Sequence, residues 1–340
     1  MKKIQLSLLP KLLSAIAAKK ALYLPVDGKA GADYKRYEEG DTLSRACRTN
    51  RSAKDFFFPQ VEDMAAFRVE GKKIEIIDTR KENEDFVIFG VRACDVRSFD
   101  ILDRVFLADP VDTFYENRRQ HATVVSLACD APEETCFCRQ FDILAEDPAG
   151  DVAAWIVGDE MYFKAKTEKG KKLLSSLDVL LADGDSAPVE KEKKHLEAIQ
   201  HKLPISEFNK EHFKPEDLME HFNDPAWAEL SEACLGCGTC TFVCPTCQCF
   251  DIRDFKTNDG VLRYRCWDSC MYSDFTKMAA ENPRHTQLER FRQRFMHKLV
   301  YYPANNDGIY GCVGCGRCLA KCPISMNIVK VVKKIGGKKA

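Results

Sequence analysis

The chain has 340 residues, a formal net charge of −1 and 17 cysteines among 30% charged residues. The balanced charge gives no general attraction to nucleic acid, and no apolar run approaches the roughly 18 residues that span a bilayer. We therefore expect no nucleic-acid partner and no integral membrane protein. In a large, charge-rich chain, so many cysteines indicate metal ligands or reactive thiols rather than disulfides.

The N-terminal segment is predicted to form an amphipathic helix rather than a signal peptide. Lys11 interrupts its apolar run, and Leu12, Leu13 and Ile16 repeat at helical spacing. Because reduced metal thiolates belong to a reducing compartment, we predict a cytoplasmic protein.

Residues 1–190 are predicted to form a mixed α/β domain. Four apolar or β-branched runs have strand character: Ala21–Val26, Lys73–Ile77, Phe86–Val91 and Thr123–Ala128. Helical periodicity or turn signals predict a helix over Val96–Phe106, a hairpin over Ala154–Lys166 and a helix over Lys171–Leu181. The charged segment 191–224 is expected to be a helical linker.

Four cysteines of this domain are expected at one edge of its sheet. They are Cys94, Cys129, Cys136 and Cys138. Two follow predicted strands directly, and the other two lie in a turn-rich segment soon after. Sites in α/β sheets form at the carboxyl ends of strands. A third cluster is the favoured interpretation, with zinc or unliganded thiols as alternatives.

Two near-identical cysteine runs open and close residues 225–328. The first is Cys234-x2-Cys237-x2-Cys240-x3-Cys244-Pro245, and the second is Cys312-x2-Cys315-x2-Cys318-x3-Cys322-Pro323. This is the spacing of two-cluster bacterial ferredoxins, in which the fourth cysteine of each run binds the other cluster. We predict one [4Fe–4S] cluster on Cys234, Cys237, Cys240 and Cys322, and another on Cys312, Cys315, Cys318 and Cys244.

The local residues suit tight cluster-binding loops. Glycines within both runs permit the turns, and the fourth cysteine is predicted to open the following helix, with proline at its first position. Zinc is the alternative, since CxxC pairs also build zinc sites. Two complete runs, each with its proline, favour the clusters. The fold class is therefore α+β: a mixed α/β domain, then a ferredoxin-like domain with a helical insertion over 250–308.

The insertion contains a predicted helix over Leu288–Val300 with Arg290, Arg294 and Lys298 along one stripe. The stripe is either a solvated face or a positive surface that offsets cluster charge or meets an acidic partner. From Arg284 to Ala340 there are twelve Lys or Arg and two Asp or Glu, which favours the second interpretation. Residues 329–340 are predicted to be a flexible basic tail.

Five cysteines have no assigned role: Cys47, Cys247, Cys249, Cys266 and Cys270. The four in the insertion match no cluster spacing, so buried thiols packing as small hydrophobes are favoured over another cluster.

Several longer motifs resemble one family. Those of the N-terminal half are Gly90-Val91-Arg92-Ala93-Cys94-Asp95, Asp112-Thr113-Phe114-Tyr115 with Arg118-Arg119, and Glu134-Thr135-Cys136-Phe137-Cys138. Those of the C-terminal half are Cys244-Pro245-Thr246-Cys247-Gln248-Cys249-Phe250, Trp267-Asp268-Ser269-Cys270 and Cys312-Val313-Gly314-Cys315-Gly316-Arg317-Cys318. The chain resembles the ferredoxin-like iron–sulfur subunits of anaerobic sulfite reductase and of sulfhydrogenases, which in the latter is the β subunit. Cys266 and residues 142–230 match no motif of that family.

The resemblance implies an electron-transfer role in an anaerobic, multi-subunit oxidoreductase. A separate subunit would bind flavin and NAD(P)H, and this chain would relay single electrons to or from a catalytic subunit or a ferredoxin. Candidate catalytic partners are of the sulfite reductase, hydrogenase or heterodisulfide reductase type. The resemblance also favours a third cluster on Cys94, Cys129, Cys136 and Cys138.

No dinucleotide-binding glycine motif or P-loop is present, so this chain is expected to bind neither flavin nor nicotinamide. The alternative function is a catalytic subunit that binds a small sulfur compound at the N-terminal cluster. Cys94-Asp95 and the Arg118-Arg119 pair motivate it, since arginines suit oxyanions. A helix-terminal ion pair is the structural explanation for the two arginines.

Overall fold

The computed structural model describes residues 1–80, 84–206 and 208–337, and its strands and helices mix as expected for an α+β fold. The strands are β1 Lys2–Gln5, β2 Ala21–Gly28, β3 Gly31–Arg36, β4 Val61–Glu70, β5 Lys73–Asp78, β6 Phe86–Val91, β7 Ala122–Leu127, β8 Val152–Val157, β9 Glu160–Ala165, β10 Ala182–Asp183, β11 Phe250–Lys256 and β12 Gly260–Trp267. The α-helices are α1 Leu9–Ala17, α2 Ala93–Phe106, α3 Thr113–His121, α4 Glu168–Ser175, α5 Ala187–His201, α6 Leu218–Phe222, α7 Ala226–Glu232, α8 Thr239–Phe242, α9 Gln287–Met296, α10 Tyr302–Asn305, α11 Arg317–Lys321 and α12 Ile328–Gly336.

The N-terminal half is built on an eight-stranded sheet in the order β10-β1-β9-β8-β7-β6-β2-β3. Its centre is parallel, because β2 pairs with β6, β6 with β7 and β7 with β8 in the same direction. The central strands are buried on both faces, which explains their continuous apolar sequences. One face packs on α1 and α4, and the opposite face packs on α2 and α3.

A second, four-stranded sheet has the order β11-β12-β4-β5. Its central pair joins β12 of the insertion to β4 of the N-terminal half, with Val261 opposite Phe67. The insertion over 250–308 is therefore a β-hairpin followed by helices, and the prediction of a purely helical insertion was wrong. Alternating apolar residues in β11 and β12 are consistent with this pairing.

The C-terminal core lies between α7, α9 and α12. A capping box of Thr286 and Glu289 begins α9, and a π-helical turn over His297–Tyr301 continues it into α10. Among the described helices, none combines the length and apolar character needed to cross a bilayer.

The final segment is not a flexible tail, which corrects the prediction for residues 329–340. Asn327 caps α12, and Val331, Val332 and Ile335 are buried against the core. Apolar residues at helical spacing drive this packing, while Lys330, Lys333 and Lys334 face outward. Residues 338–340 of the predicted tail lie outside the described part.

The predicted secondary structure of the N-terminal half agrees with the structure apart from one helix. That helix covers Glu168–Ser175 rather than Lys171–Leu181, since Thr167 caps its start and turns follow Ser175. The boundaries 1–190, 191–224 and 225–328 stay a prediction.

Candidate iron–sulfur centres

The two cysteine runs form similar tight loops. Gly236, Gly238, Gly314 and Gly316 all have positive φ, as the turns require. The third cysteine of each run lies in a short helix, α8 or α11. The fourth cysteine follows that helix instead of opening the next one, so this part of the prediction was wrong. Pro245 and Pro323 explain the difference, because a residue before proline is disfavoured in the helical region.

The first loop and the end of the second run share one cavity. Its lining includes Cys234, Cys237, Cys240 and Cys322, together with the guanidinium-bearing residue Arg294. Cys322 is thus next to the three cysteines of the other run, as crossed ligation requires. The residues present fit a [4Fe–4S] cluster, since four thiols and a cation face one enclosed space.

Cys244 is placed reciprocally. Its sulfur interacts electrostatically with each of the other three thiols in the second group, which are Cys312, Cys315 and Cys318. The Lys298 Nζ donates to the Cys244 Sγ at 3.4 Å and to the Thr246 hydroxyl at 2.8 Å. The geometry therefore brings together both predicted groups of four cysteines.

Arg294 and Lys298 are buried, at 4% and 6% exposure, so the interpretation of their stripe as a solvated face was wrong. Among the described residues, neither has a carboxylate within 4.0 Å. Burial acts to lower the pKa of Arg294, but the nearby sulfurs of Cys240 and Cys318 outweigh it and raise the pKa. A buried unpaired cation is costly, so these two residues fit a site whose counter-charge is an anionic cluster.

The N-terminal cysteines also lie where the sequence predicted. Cys94 follows β6 and Cys129 follows β7, two parallel neighbours, so both lie at the same sheet edge. Cys136 and Cys138 are buried in the turn that approaches this edge. Cys138 interacts electrostatically with Cys129, and Cys94 with Cys138.

This N-terminal group touches the second cysteine run. The Phe137 N–H donates to the Gly314 carbonyl oxygen at 2.9 Å. A Cβ on Gly314 would lie 2.4 Å from the Phe137 carbonyl oxygen, so only glycine permits this approach. Cys138 and Cys94 each interact electrostatically with Cys315. Two candidate cluster sites are therefore direct neighbours across the two halves of the chain.

Cys47 is a fifth thiol at the N-terminal group, and sequence reasoning missed it. Its Sγ lies 3.9 Å from that of Cys136 and 3.3 Å from a Glu133 carboxylate oxygen. Cys47 precedes the Arg48–Asn50 segment, which follows no predicted strand, so local pattern gave no signal. Its position depends on tertiary contacts such as the Arg48–Glu133 ion pair.

Burial holds several of these thiols in the protonated form without iron. It raises the pKa of Cys129 to about 11, and the pKa of Cys138 and that of Cys312 to about 12. Metal thiolate bonds require deprotonated sulfur, so iron binding here must displace protons.

The residues that motivated a catalytic site are occupied structurally. Arg118 pairs with Glu62, and Arg119 donates to Asp103 at 2.7 Å. Asp95 is 1% exposed and pairs with Arg317. Both arginines thus form the ion pairs of the structural explanation, and no oxyanion site is assembled from them.

The thiols of the insertion do not pack as small hydrophobes. Cys247, Cys249 and Cys270 are half-buried, and none belongs to the apolar clusters of the described residues. No three His, Cys, Asp or Glu side chains in the described ranges converge closely enough to hold one metal ion. The cysteine groups are thus wider than a single-ion site.

Two ferredoxin-type loops with crossed fourth cysteines define an iron–sulfur protein of the dicluster ferredoxin class, and residues 233–326 match the family model of the 4Fe-4S dicluster domain. The chain is 31% identical over 311 residues to Sulfhydrogenase 2 subunit beta of Pyrococcus furiosus, with 88% of each chain covered. The chain belongs to the family of iron–sulfur subunits that includes that protein. It is an iron–sulfur electron-transfer subunit with [4Fe–4S] clusters. No solved structure matches it.

Proposed function

We propose that the chain relays single electrons through three [4Fe–4S] clusters inside a multi-subunit flavin-dependent oxidoreductase. The third cluster would be held by Cys94, Cys129, Cys136 and Cys138. Each cluster, when bound, takes up and releases one electron at a time. The main support is the contact between Phe137 and Gly314, which places the N-terminal thiols beside the second cysteine run.

The order of the three groups follows from their neighbours. The N-terminal group adjoins Cys315 of the second run. Arg294 faces cysteines of both runs, Cys240 and Cys318, so the two ferredoxin sites also adjoin each other. The chain thus positions its thiols as a continuous series from the N-terminal sheet edge to the cavity around Cys322.

The proposed partners are a subunit that binds flavin and NAD(P)H and a catalytic subunit or ferredoxin. Sulfhydrogenase 2 subunit beta is by its name one subunit of a larger enzyme, which supports a multi-subunit complex here. The catalytic partner would be of the sulfite reductase, hydrogenase or heterodisulfide reductase type. Work without oxygen in the cytoplasm would protect the clusters and their thiolates.

The experiment compares iron and zinc in anaerobically purified wild-type protein and in a Cys136→Ala/Cys138→Ala variant. Loss of about four iron atoms per chain in the variant is expected if one [4Fe–4S] cluster uses these thiols. Unchanged iron, or zinc lost in its place, would remove the third cluster from the relay. Sulfite turnover by the isolated chain with an artificial reductant would instead favour the alternative catalytic function.

A further inference from the structure

Three cysteines of the insertion lie together outside the sites described above. The thiols of Cys249 and Cys270 interact through a side-chain hydrogen bond. Cys247 interacts electrostatically with Cys249. We call Cys247, Cys249 and Cys270 the insertion thiols.

The backbone fixes the insertion thiols in place. Pairing of β11 with β12 sets Phe250 opposite Trp267, and the Asp268 N–H donates to the Cys249 carbonyl oxygen at 2.9 Å. The buried Ser269 hydroxyl accepts from the Thr241 hydroxyl at 2.8 Å and from the Met271 N–H at 3.1 Å. These bonds hold Cys270 beside Cys249, so the grouping does not depend on flexible side chains.

A buried cation faces the same group. Lys54 is 1% exposed, and its Nζ donates to the Cys247 carbonyl oxygen at 2.9 Å and lies 3.7 Å above the Trp267 ring. Within the described ranges, no carboxylate oxygen lies within 4.0 Å of that Nζ. Its strongest attractive interaction is with Cys247, followed by Cys244.

The two ferredoxin sites do not account for this cation. Arg294 and Lys298 already face the cysteines of both runs. Lys54 approaches from the N-terminal half and meets the insertion thiols first. Because an isolated buried charge is costly, its burial indicates an anionic group at these thiols.

We propose that the insertion thiols bind a further iron–sulfur cluster, with Cys247, Cys249 and Cys270 as its three protein ligands. The fourth iron would be open to a ligand other than cysteine, since Cys244 belongs to the second ferredoxin site. The thiols are too spread for a single ion, which favours a multi-iron cluster over zinc. This cluster goes beyond the proposed three-cluster relay.

The test is the iron content of anaerobically purified full-length chain. If all four clusters are cubanes, wild type should contain about sixteen iron atoms per chain. Cys249→Ala and Cys270→Ala should each lose about four of them. Cys266→Ala is the matched control, because this cysteine lies in the same insertion but outside the group, and it should lose none.

About twelve iron atoms in the wild type, unchanged in both variants, would overturn this proposal while leaving the relay intact. Zinc that is present in the wild type and lost in Cys270→Ala would also overturn it. About eight iron atoms would contradict both this site and the third relay cluster.

Electron paramagnetic resonance adds a readout that does not depend on counting. An iron without a thiolate ligand is held less tightly, so mild ferricyanide oxidation should release it and give the signal of a cluster lacking one iron. The signal should persist in Cys266→Ala and disappear in Cys249→Ala. Its absence from the wild type would contradict the open iron position.

Discussion

Arg317 and Asp95 form a buried, two-bonded ion pair that connects the two halves of the chain. The Arg317 Nη1 and Nη2 donate to the two carboxylate oxygens at 2.5 and 2.8 Å, and the residues are 2% and 1% exposed. Arg317 precedes Cys318, and Asp95 follows Cys94. The pair therefore fixes the second ferredoxin loop against the N-terminal cysteine group.

Removing one partner of this pair should destabilise the protein strongly. We expect Arg317→Met to cost about 3–5 kcal/mol, because it leaves a buried carboxylate without a counter-charge. Thermal unfolding under anaerobic conditions would show it. Arg97→Met, which breaks the exposed Arg97–Asp100 pair, should cost less than about 1 kcal/mol. Equal effects in the two variants would contradict the buried pair.

Contact between the second loop and the Cys136–Cys138 turn should depend on Gly314. A Gly314→Ala side chain would meet the Phe137 carbonyl oxygen at 2.4 Å, so we expect loss of iron from the N-terminal group and a lower Tm. Gly308→Ala is the matched control, because Gly308 also has positive φ but its Cβ would meet nothing within 4 Å. That variant should lose only about 1–2 kcal/mol and no iron. Iron loss in both would assign the effect to backbone strain alone.

Crossed ligation can be tested through the two fourth cysteines. Cys322→Ala should remove the cluster of the first run, and its low-temperature electron paramagnetic resonance spectrum should match that of Cys237→Ala. The reciprocal variant, Cys244→Ala, should match Cys315→Ala. If the spectrum of Cys322→Ala matched that of Cys315→Ala instead, the ligand assignment would be wrong.

The cysteine spacing alone predicts the two ferredoxin groups, because each run places its ligands within one local loop. The parallel sheet was also predictable, since β6 and β7 are short, apolar and bounded by turns. Contacts between distant segments were not predictable. The sheet formed by β4 and β12 and the position of Cys47 beside Cys136 depend on tertiary packing, which leaves no periodic pattern in one segment. Solvent exposure of Arg294 and Lys298 was misjudged for the same reason.

The buried lysine beside Cys244 should tune a cluster potential. Lys298→Met removes a positive charge 3.4 Å from the sulfur, so adding an electron becomes harder and the midpoint potential should fall, by roughly 50–150 mV. Lys298→Arg should largely restore it, and Lys330→Met, which changes an exposed lysine of α12, should have no effect. A redox titration measures all three. An unchanged potential in Lys298→Met would show that another charge compensates.

His297 should contribute to acid sensitivity. Burial, followed by the charges of Lys298 and Arg284, lowers its pKa to about 4 from the usual value near 6.5. The folded state then binds fewer protons than the unfolded state, so this contribution to stability is present above pH 6.5 and is lost as the pH falls towards 4. His297→Gln should reduce the loss of Tm between pH 7.5 and 5. Identical pH dependence in both proteins would contradict it.

The shared sheet of β4, β5, β11 and β12 has a consequence for synthesis on the ribosome. The β4–β5 hairpin leaves the ribosome about 170 residues before its partner strand β12. At translation rates of about 5–20 residues per second, it waits roughly 10–30 s with the β4 edge unpaired. Exposed strand edges invite pairing with other chains. Nascent protein therefore depends on a chaperone, or on the charged Glu62, Asp63 and Arg68 of that strand, until its C-terminal half emerges.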